Sequence, residues 1–492
     1  MTEEQEISEQ EHVRRVKLNE LRSCGYSYPN IHGVKTFASD ARALAENGDT
    51  ETTVVIGGRI MTVRIMGKAA FFNIQDGSGT VQVYLKKEEV GDEAFDAFKD
   101  LDIGDIVEVS AKPFITKTGE PSVHASSCRL LVKCLHPLPE KWHGLTDTET
   151  RYRQRYLDLI INAKSREVFV KRARIVSAIR SFLDSRGYVE VETPVLVVEA
   201  SGAEAKPFKT YHNALGLDLQ LRIATELPLK KLVVGGLERV YEIGRIFRNE
   251  GISTKHNPEF TSIEFYQAYA TYDDLMDLTE ELLEQLCTIV NGTSSATFRE
   301  HQISFQRPYA RMTMIESCYQ FGGVDRKIDL SNIKGIHEAA RQLNIPSALA
   351  AEDYGLALYE LFDKGVEHLI INPTFITQHP LTISPLSRKS DTDPRFVDRF
   401  ELIVAGMEIA NAFSELNDPE DQAQRFQQQL LAKAAGNDEA TAGDEDFITA
   451  LEYGMPPTAG EGIGIDRLTM LLTNCDSIRD VILFPTQRPK KD

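Results

Sequence analysis

Nowhere in the 492 residues does an apolar run approach the ~20 residues needed to span a bilayer, so a membrane-spanning protein is not expected. Cysteine is sparse and scattered. Cys24, Cys128, Cys134, Cys287, Cys318 and Cys475 include no CxxC pair. This argues against a disulfide framework or a structural zinc site, and predicts a reducing, cytoplasmic setting. Met1 to Gln10 is acidic and holds no apolar segment, so no secretory signal is expected. A basic excess is also missing. Lys and Arg number 55 against 74 Asp and Glu, a net charge of −19. Phosphate binding normally draws on a basic surface, and the bulk charge speaks against a nucleic-acid partner. The objection weakens locally, because Glu51 to Leu145 holds 11 basic and 13 acidic residues and is close to neutral. Overall charge bears on solubility; a local patch bears on binding.

A chain of this length exceeds one ordinary core and predicts two or three folding units. Residues 1–50 read as a helical extension, charged from Gln10 to Leu21 and stopped at Gly25. Strand patterns follow at Val54–Met66, Ala69–Gln75, Thr80–Leu85, Ile106–Ile115 and Ser122–Val132, with a turn at Asp76-Gly77-Ser78-Gly79 and a helical stretch near Ala94–Lys99. Five short strands with one helix before the fourth suit a closed OB-type barrel over 51–135; on pattern alone other small β barrels also fit. Residues 136–150, HPLPEKWHGLTDTET, read as a linker.

The second domain, 151–492, opens with a long helix. Ile175, Ile179, Phe182 and Leu183 are spaced for one buried face, and Gly187 supplies the stop. Strands are predicted at Tyr188–Thr193, Leu217–Ala224, Val240–Arg248, Phe260–Tyr269 and Arg399–Phe413, and an amphipathic helix from Tyr272 to Val290. Arg307 to His368 reads as a mostly helical insertion. Ala432–Ala459, rich in Ala, Gly and acids, reads as a mobile loop. Strands in runs with helices set apart predict an α+β domain on an antiparallel sheet.

Three segments carry chemistry. In FRNEGISTKHNPEF (Phe247–Phe260), Arg248 and Glu250 are expected on one face of a strand, followed by a polar loop with Lys255 and His256. Phe260, Ser262, Glu264 and Tyr266 share one face of the returning strand. A fixed cation, a carboxylate and an aromatic ring suit a nucleotide, with Arg on phosphate and the ring on a base. In GEGIGIDRL (Gly460–Leu468), Gly460, Gly462 and Gly464 alternate along a strand and leave one face bare for a flat ligand, with Arg467 beyond. In RFELIVAGMEIANAFSEL (Arg399–Leu416), a turn at Ala405-Gly406-Met407 returns Glu408 beside Glu401, a natural pair of Mg²⁺ ligands next to a triphosphate. The step from Glu408 to Asn411 is odd, so a shared face requires a bulge between them.

Together these segments resemble the core of the class II aminoacyl-tRNA synthetases. Arg174–Pro194 is similar to the dimer-forming motif 1, FRNE…F to motif 2 and GEGIGIDRL to motif 3, while the class I signatures HIGH and KMSKS are absent. A barrel ahead of this domain resembles the subgroup charging lysine, aspartate and asparagine. The resemblance to its lysine enzymes runs from Arg59 to Pro489. It implies ATP-dependent activation of lysine and transfer to tRNA(Lys) by a cytoplasmic homodimer.

The resemblance also implies a set of sites. Arg248, Glu250, His256, Phe260, Glu401 and Arg467 would form the ATP site, with Arg248, Glu250 and Arg467 catalytic and Glu401 and Glu408 on Mg²⁺. Gly202, Glu226, Glu264, Tyr266, Asn411 and Glu415 would surround the lysine. Several acids around one pocket predict a cationic substrate, where an aspartate enzyme would need Arg or Lys. The sequence does not fix which of Glu226 and Glu264 takes the α- and which the ε-ammonium, and ion pairs to Lys230 or Lys231 are the structural alternative for Glu226. In the barrel, Arg64, Phe71 and Gln82, with Glu120 as a further candidate, match anticodon-reading positions. Phe71 and Phe72 alternate faces, so one belongs to the core. Two residues depart from many bacterial lysine enzymes: Thr225 stands for Pro, and Ala412 for Gly, whose added methyl is expected to tighten the pocket beside Asn411. The rival readings are an aspartate or asparagine ligase of the same build, a relative lysylating protein, and a non-catalytic nucleic-acid-binding protein.

Overall fold

A computed structural model describes residues 3–30, 33–139, 145, 147–203, 205–434 and 443–489, and the chain divides into two compact units, Met1–Gly144 and Leu145–Asp492.

In the first unit five strands close a barrel: Val54–Met66, Ala69–Gln75, Thr80–Lys86, Ile106–Ile115 and Pro121–Val132. The first pairs with the second and fourth, and the third runs parallel to the fifth. Strict alternation along the second strand sends Ala70, Phe72 and Ile74 inward with Val81, Val83, Val107 and Val109. The helix Asp92–Lys99 adds Phe95 and Phe98, the latter ring 4.7 Å from Phe72. Burying each such side chain contributes about 1.5–3 kcal/mol. Asp76 builds the predicted turn. Its Oδ1 accepts the N–H groups of Ser78 and Gly79, and its Oδ2 that of Ala38, which opens the helix Ala38–Glu46. The N-terminal helix Glu3–Ser23 is tied down by Arg14, which donates to the carbonyls of Ile103 and Cys134.

The second unit is an eight-stranded sheet in the order Ala310–Thr313, Thr374–Pro380, Phe396–Val404, Met407–Ser414, Thr458–Gly464, Glu259–Ala268, Arg239–Phe247 and Val189–Glu190. The central pairings are antiparallel, but the outermost pair at each edge is parallel. On one face Ile263, Phe265, Phe400, Leu402 and Ile463 pack against the helices Ala163–Asp184, Tyr272–Asn291 and Ile465–Thr473. Ile175, Ile179, Phe182 and Leu183 are buried there as their spacing predicts. The helix Tyr272–Asn291 starts at a reciprocal cap between Thr271 and Asp274 and ends at left-handed Gly292. The insertion after Ala310–Thr313 holds four helices with their own core around Cys318, Leu330, Ile336, Leu358 and Phe362.

Three expectations need correction. Ala432–Ala459 is not one loop. The helix Pro419–Ala434 runs into it, and Glu445–Glu452 is a helix, because Asp444 caps the N–H of Phe447 and Phe447 and Leu451 are buried. Residues 435–442 lie outside the described residues. The strand predicted at Tyr188–Thr193 shrinks to Val189–Glu190, because only Val189 and Glu190 find strand partners, on Val240 and Tyr241. The predicted strand Leu217–Ala224 ends at Leu221, in a separate small sheet with Leu196–Val197 and Lys209–His212. Of the stretch read as a linker, 140–144 and 146 lie outside the described residues, and its end enters the helix Thr148–Arg153, capped by Asp147.

Candidate functional site

The face of the large sheet opposite the helices Ala163–Asp184, Tyr272–Asn291 and Ile465–Thr473 carries a cavity of roughly 530 Å³. Its centre is the strand Glu259–Ala268, whose alternate residues Phe260, Ser262, Glu264 and Tyr266 line it while Ile263 and Phe265 enter the core. Opposite them in register stand Gly464, Gly462 and Gly460: Ser262 faces Gly464, Glu264 faces Gly462 and Tyr266 faces Gly460. The three glycines are not equivalent. A Cβ at Gly460 would collide with the Tyr266 ring and with Glu415, whereas at Gly462 and Gly464 it would make only ordinary contacts. Two glycines therefore leave bare backbone on the cavity wall, and the third admits an aromatic ring.

At one end of the cavity lie Arg248, Glu250, His256, Phe260 and Arg467. Arg248 and Glu250 do not share the strand face that the sequence predicts, because pairing stops at Phe247 with Glu259 and both residues sit just beyond it. Arg248 is held by its N–H to the Pro258 carbonyl at 2.8 Å, and its guanidinium lies 5.4 Å from the Phe260 ring. Arg467 donates to the Glu408 carbonyl at 2.8 Å and reaches the His256 ring at 3.3 Å. Burial, with the Arg467 charge beside it, holds His256 below its ordinary range, so its Nε2 can accept that bond. Behind them Asp466 pairs with Arg172 at 2.5 Å and accepts the Thr261 N–H, which fixes the start of the helix carrying Arg467.

Glu401 and Glu408 come to one face by the bulge that the odd spacing demanded. Leu402 pairs with Ala410 and Ile403 with Glu408, so Ile409 is skipped, and Ile409 and Ala410 are both buried. The two-residue turn holds Ala405 at φ 51° and Gly406 at φ 66°, as a type I′ turn requires. Glu401 accepts from Arg399 at 2.5 Å, and Arg399 also donates to Asn411 and Ser384. Burial pushes Glu401 above the usual carboxylate range against the opposing Arg399. Nearby Glu367 is raised to about 8 by burial and by Asp363, Glu401 and Glu408. The part of that rise that comes from repulsion among Asp363, Glu367, Glu401 and Glu408 would be relieved by a cation between them. Among the described residues, no three His, Cys, Asp or Glu side chains form a metal cage. Two carboxylates suit an ion that takes its other ligands from phosphate and water, as Mg²⁺ does.

The other end holds Gly202, Glu226, Glu264, Tyr266 and Asn411. Gly202 has φ +87°, with Ala224 and Glu226 within 3.2 Å of where a Cβ would stand. Glu264 accepts the Thr225 N–H at 3.2 Å and the Tyr266 hydroxyl at 3.4 Å, and among the described residues no Lys or Arg forms an ion pair with it. Burial, with Glu226 adding to it, raises Glu264 to about 7. Glu415 does not line the cavity. It lies fully buried behind Gly460, in contact with Lys230, and its Oε1 finds no hydrogen-bond partner. Lys230 also pairs with Glu226 at 2.5 Å, the structural alternative raised for that residue. Ala412 is buried in the core opposite Phe400, so its methyl points away from the cavity and does not tighten it. Sequence reasoning missed the part played by Arg399 and the contact of Lys230 with Glu415. Arg399 was legible, since it stands two residues before Glu401 on one strand face; the place of Lys230 depended on packing.

In the barrel, Phe72 is in the core and Phe71 faces outward, 4.7 Å from the Tyr84 ring, which lies 4.9 Å from His124. Arg64 pairs in register with Phe71 on the adjacent strand and is exposed. Gln82 accepts from Ser122 at 3.0 Å, and Glu120 lies 4.0 Å from Arg42.

Residues 147–488 match the family described as tRNA synthetases class II (D, K and N), and residues 54–131 match the OB-fold nucleic acid binding domain. The chain is 52% identical over 486 residues to a lysine–tRNA ligase of Xanthomonas oryzae pv. oryzae, covering 97% of this chain and 96% of that one. It is 50% identical over 500 residues to the lysine–tRNA ligase of Halalkalibacterium halodurans, covering 100% and 99%. The lysine–tRNA ligase of Thioalkalivibrio sulfidiphilus is 50% identical over 499 residues, with 99% of each chain covered. With its catalytic-domain match spanning most of its length, the chain belongs to the class II tRNA synthetases of the aspartate, lysine and asparagine type.

Proposed function

We propose that this protein is a lysine–tRNA ligase, which activates L-lysine with ATP and transfers it to the 3′ end of tRNA(Lys). The observation that carries the choice of amino acid is Glu264, a half-buried carboxylate facing the cavity that forms no ion pair among the described residues. With Glu226 beside it and Glu415 behind, the pocket suits a substrate bearing ammonium groups, and an acidic amino acid would be repelled. Identity of 50–52% over nearly the whole chain to lysine–tRNA ligases supports the same reading.

In the first step a lysine carboxylate oxygen attacks the α-phosphorus of ATP. The bond to the bridging oxygen breaks, giving lysyl-adenylate and pyrophosphate. Arg248 holds the α-phosphate and the carboxylate, and Phe260 and Arg467 enclose the adenine, with Glu250 and His256 completing the nucleotide end. Glu401 and Glu408 would hold Mg²⁺, which when bound offsets the charge of the triphosphate. In the second step the terminal ribose hydroxyl of tRNA attacks the lysyl carbonyl and AMP leaves. No side-chain nucleophile takes part, so catalysis is positioning and charge stabilisation. Gly202, Glu226, Glu264, Tyr266 and Asn411 surround the lysine with Glu415 behind them, and Arg64, Phe71 and Gln82 read the anticodon. The enzyme works as a cytoplasmic homodimer. All six cysteines are free, and among the described residues no helix is long and apolar enough to cross a membrane.

The test is pyrophosphate exchange across the twenty amino acids, followed by charging of tRNA. Lysine alone should drive exchange; exchange driven by aspartate or asparagine would overturn the assignment.

A further inference from the structure

Lys230 is an ammonium with no access to solvent. Its Nζ lies 2.5 Å from Glu226, one turn back on its helix Glu226–Val234, and in contact with Glu415, which follows the strand Met407–Ser414. Its remaining surroundings are two aromatic faces, Phe413 at 5.2 Å and Phe447 at 5.9 Å. From the central strand come Glu264 and Tyr266, and neighbouring Lys231 is engaged separately with Asp444 and Asp446. Two of these three carboxylates therefore share one internal cation, and the third, Glu264, forms no ion pair among the described residues.

A buried cation set between two carboxylates fixes both their orientation and their charge. Burial alone would depress an ammonium, yet Glu226 and Glu415 outweigh it and raise Lys230, which stays charged. Burial pushes Glu415 well above the usual carboxylate range, Glu226 and Glu264 add to this, and the Lys230 ammonium in contact with it acts against them. Without Lys230, Glu226, Glu264 and Glu415 would crowd one another in a dry space, and the least costly relief is uptake of a proton. A carboxyl that has taken up a proton no longer attracts an ammonium.

On the reading of the pocket as a lysine site, we infer that Lys230 is a positioning residue for amino-acid selection. Its ammonium favours the ionised form of Glu415 and holds Glu226 and Glu415 in place for the substrate. The charges then balance: three carboxylates face one internal ammonium and the two of lysine. A packing role alone would be met by any unbranched side chain of similar length.

The experiment compares the intact enzyme with Lys230→Met, which keeps the length of the side chain and removes the charge. Lysine- and ATP-dependent pyrophosphate exchange is followed from pH 6 to 8.5, with thermal melting alongside. In the wild type, lysine KM should fall as one proton leaves Glu264 and level off above about pH 7. In Lys230→Met, KM for lysine at neutral pH should rise about 10- to 100-fold, the scale of a charge-assisted contact. It should keep falling up to about tenfold per pH unit beyond neutrality, as a second proton must leave, with KM for ATP unchanged. A folded Lys230→Met protein with the wild-type pH profile would overturn the inference. Should that variant not fold, the wild-type profile decides: a one-proton slope supports an ionised Glu415, and a two-proton slope refutes it. Absence of any lysine-dependent exchange in the wild type would instead overturn the lysine reading itself.

Discussion

The backbone N–H of Thr225 donates to Oε1 of Glu264 at 3.2 Å, where the helix Glu226–Val234 begins. A helix N-terminus presents unpaired N–H groups and partial positive charge, so it holds a carboxylate without neutralising it. A proline at 225 would have no N–H to give. Glu264 is thus fixed in direction while its charge stays available to a ligand.

Glu264→Gln should raise KM for lysine by about 10²–10³ and leave KM for ATP nearly unchanged. Leaving one charge of a buried pair unpaired costs roughly 3–5 kcal/mol. Exchange kinetics with each substrate varied in turn give the comparison, and equal losses for both would assign Glu264 a structural part.

The pH dependence follows from burial, which with Glu226 lifts Glu264 to about 7. Lysine needs the ionised form, so its KM should fall up to about tenfold per unit between pH 6 and 7 and then level. Stability runs the other way. The folded carboxyl holds its proton above its ordinary 4.5, so the stability tied to that proton is complete below 4.5 and lost as pH rises through about 7. Saturating lysine should therefore raise Tm more at pH 8 than at pH 6.

Arg248→Ala should slow adenylate formation by about 10²–10³, the effect of removing one charge-stabilising donor. Arg248 is half-buried at the cavity wall, its backbone N–H on the Pro258 carbonyl and its Nε making one long bond, 3.4 Å, to the Ile223 carbonyl. Melting should be close to wild type; near-normal exchange would show that the guanidinium does not meet the reacting phosphate.

The two neighbouring phenylalanines of the barrel should separate cleanly. Phe72→Ala empties part of the barrel core and should cost about 3–5 kcal/mol of stability. Phe71→Ala should leave Tm nearly intact, weaken tRNA binding by ~1–3 kcal/mol and leave exchange without tRNA unchanged. Selective loss of charging in Phe72→Ala, with Phe71→Ala silent, would reverse the assignment.

Resemblance of Arg174–Pro194 to motif 1 leads to a twofold dimer. Sedimentation at nanomolar protein should show a dimer, and a stable, fully active monomer would refute it.

Local rules were enough for much of this protein. Alternation of apolar residues gave the barrel strands and sent Ser262, Glu264 and Tyr266 to one face, because side chains on a strand can only alternate. The odd step from Glu408 to Asn411 required a bulge, and it is there, at Ile409. Glycine spacing gave the bare cavity wall. What the sequence left open depends on contacts between distant segments. Phe71 and Phe72 are interchangeable in pattern, and only the closed barrel, with Phe98 against Phe72, chose the inner one. Composition made 432–459 a loop, yet burial of Phe447 against the helix Glu226–Val234 side of the pocket made part of it helical. Ala412 seemed to adjoin the ligand, but the register with Phe400 turned its methyl into the core. Above all, Glu226, Glu264 and Glu415 are equal as letters. Tertiary packing gave Lys230 to two of them and, among the described residues, no cation to Glu264, because the charge of a group in the interior is decided by what is brought against it.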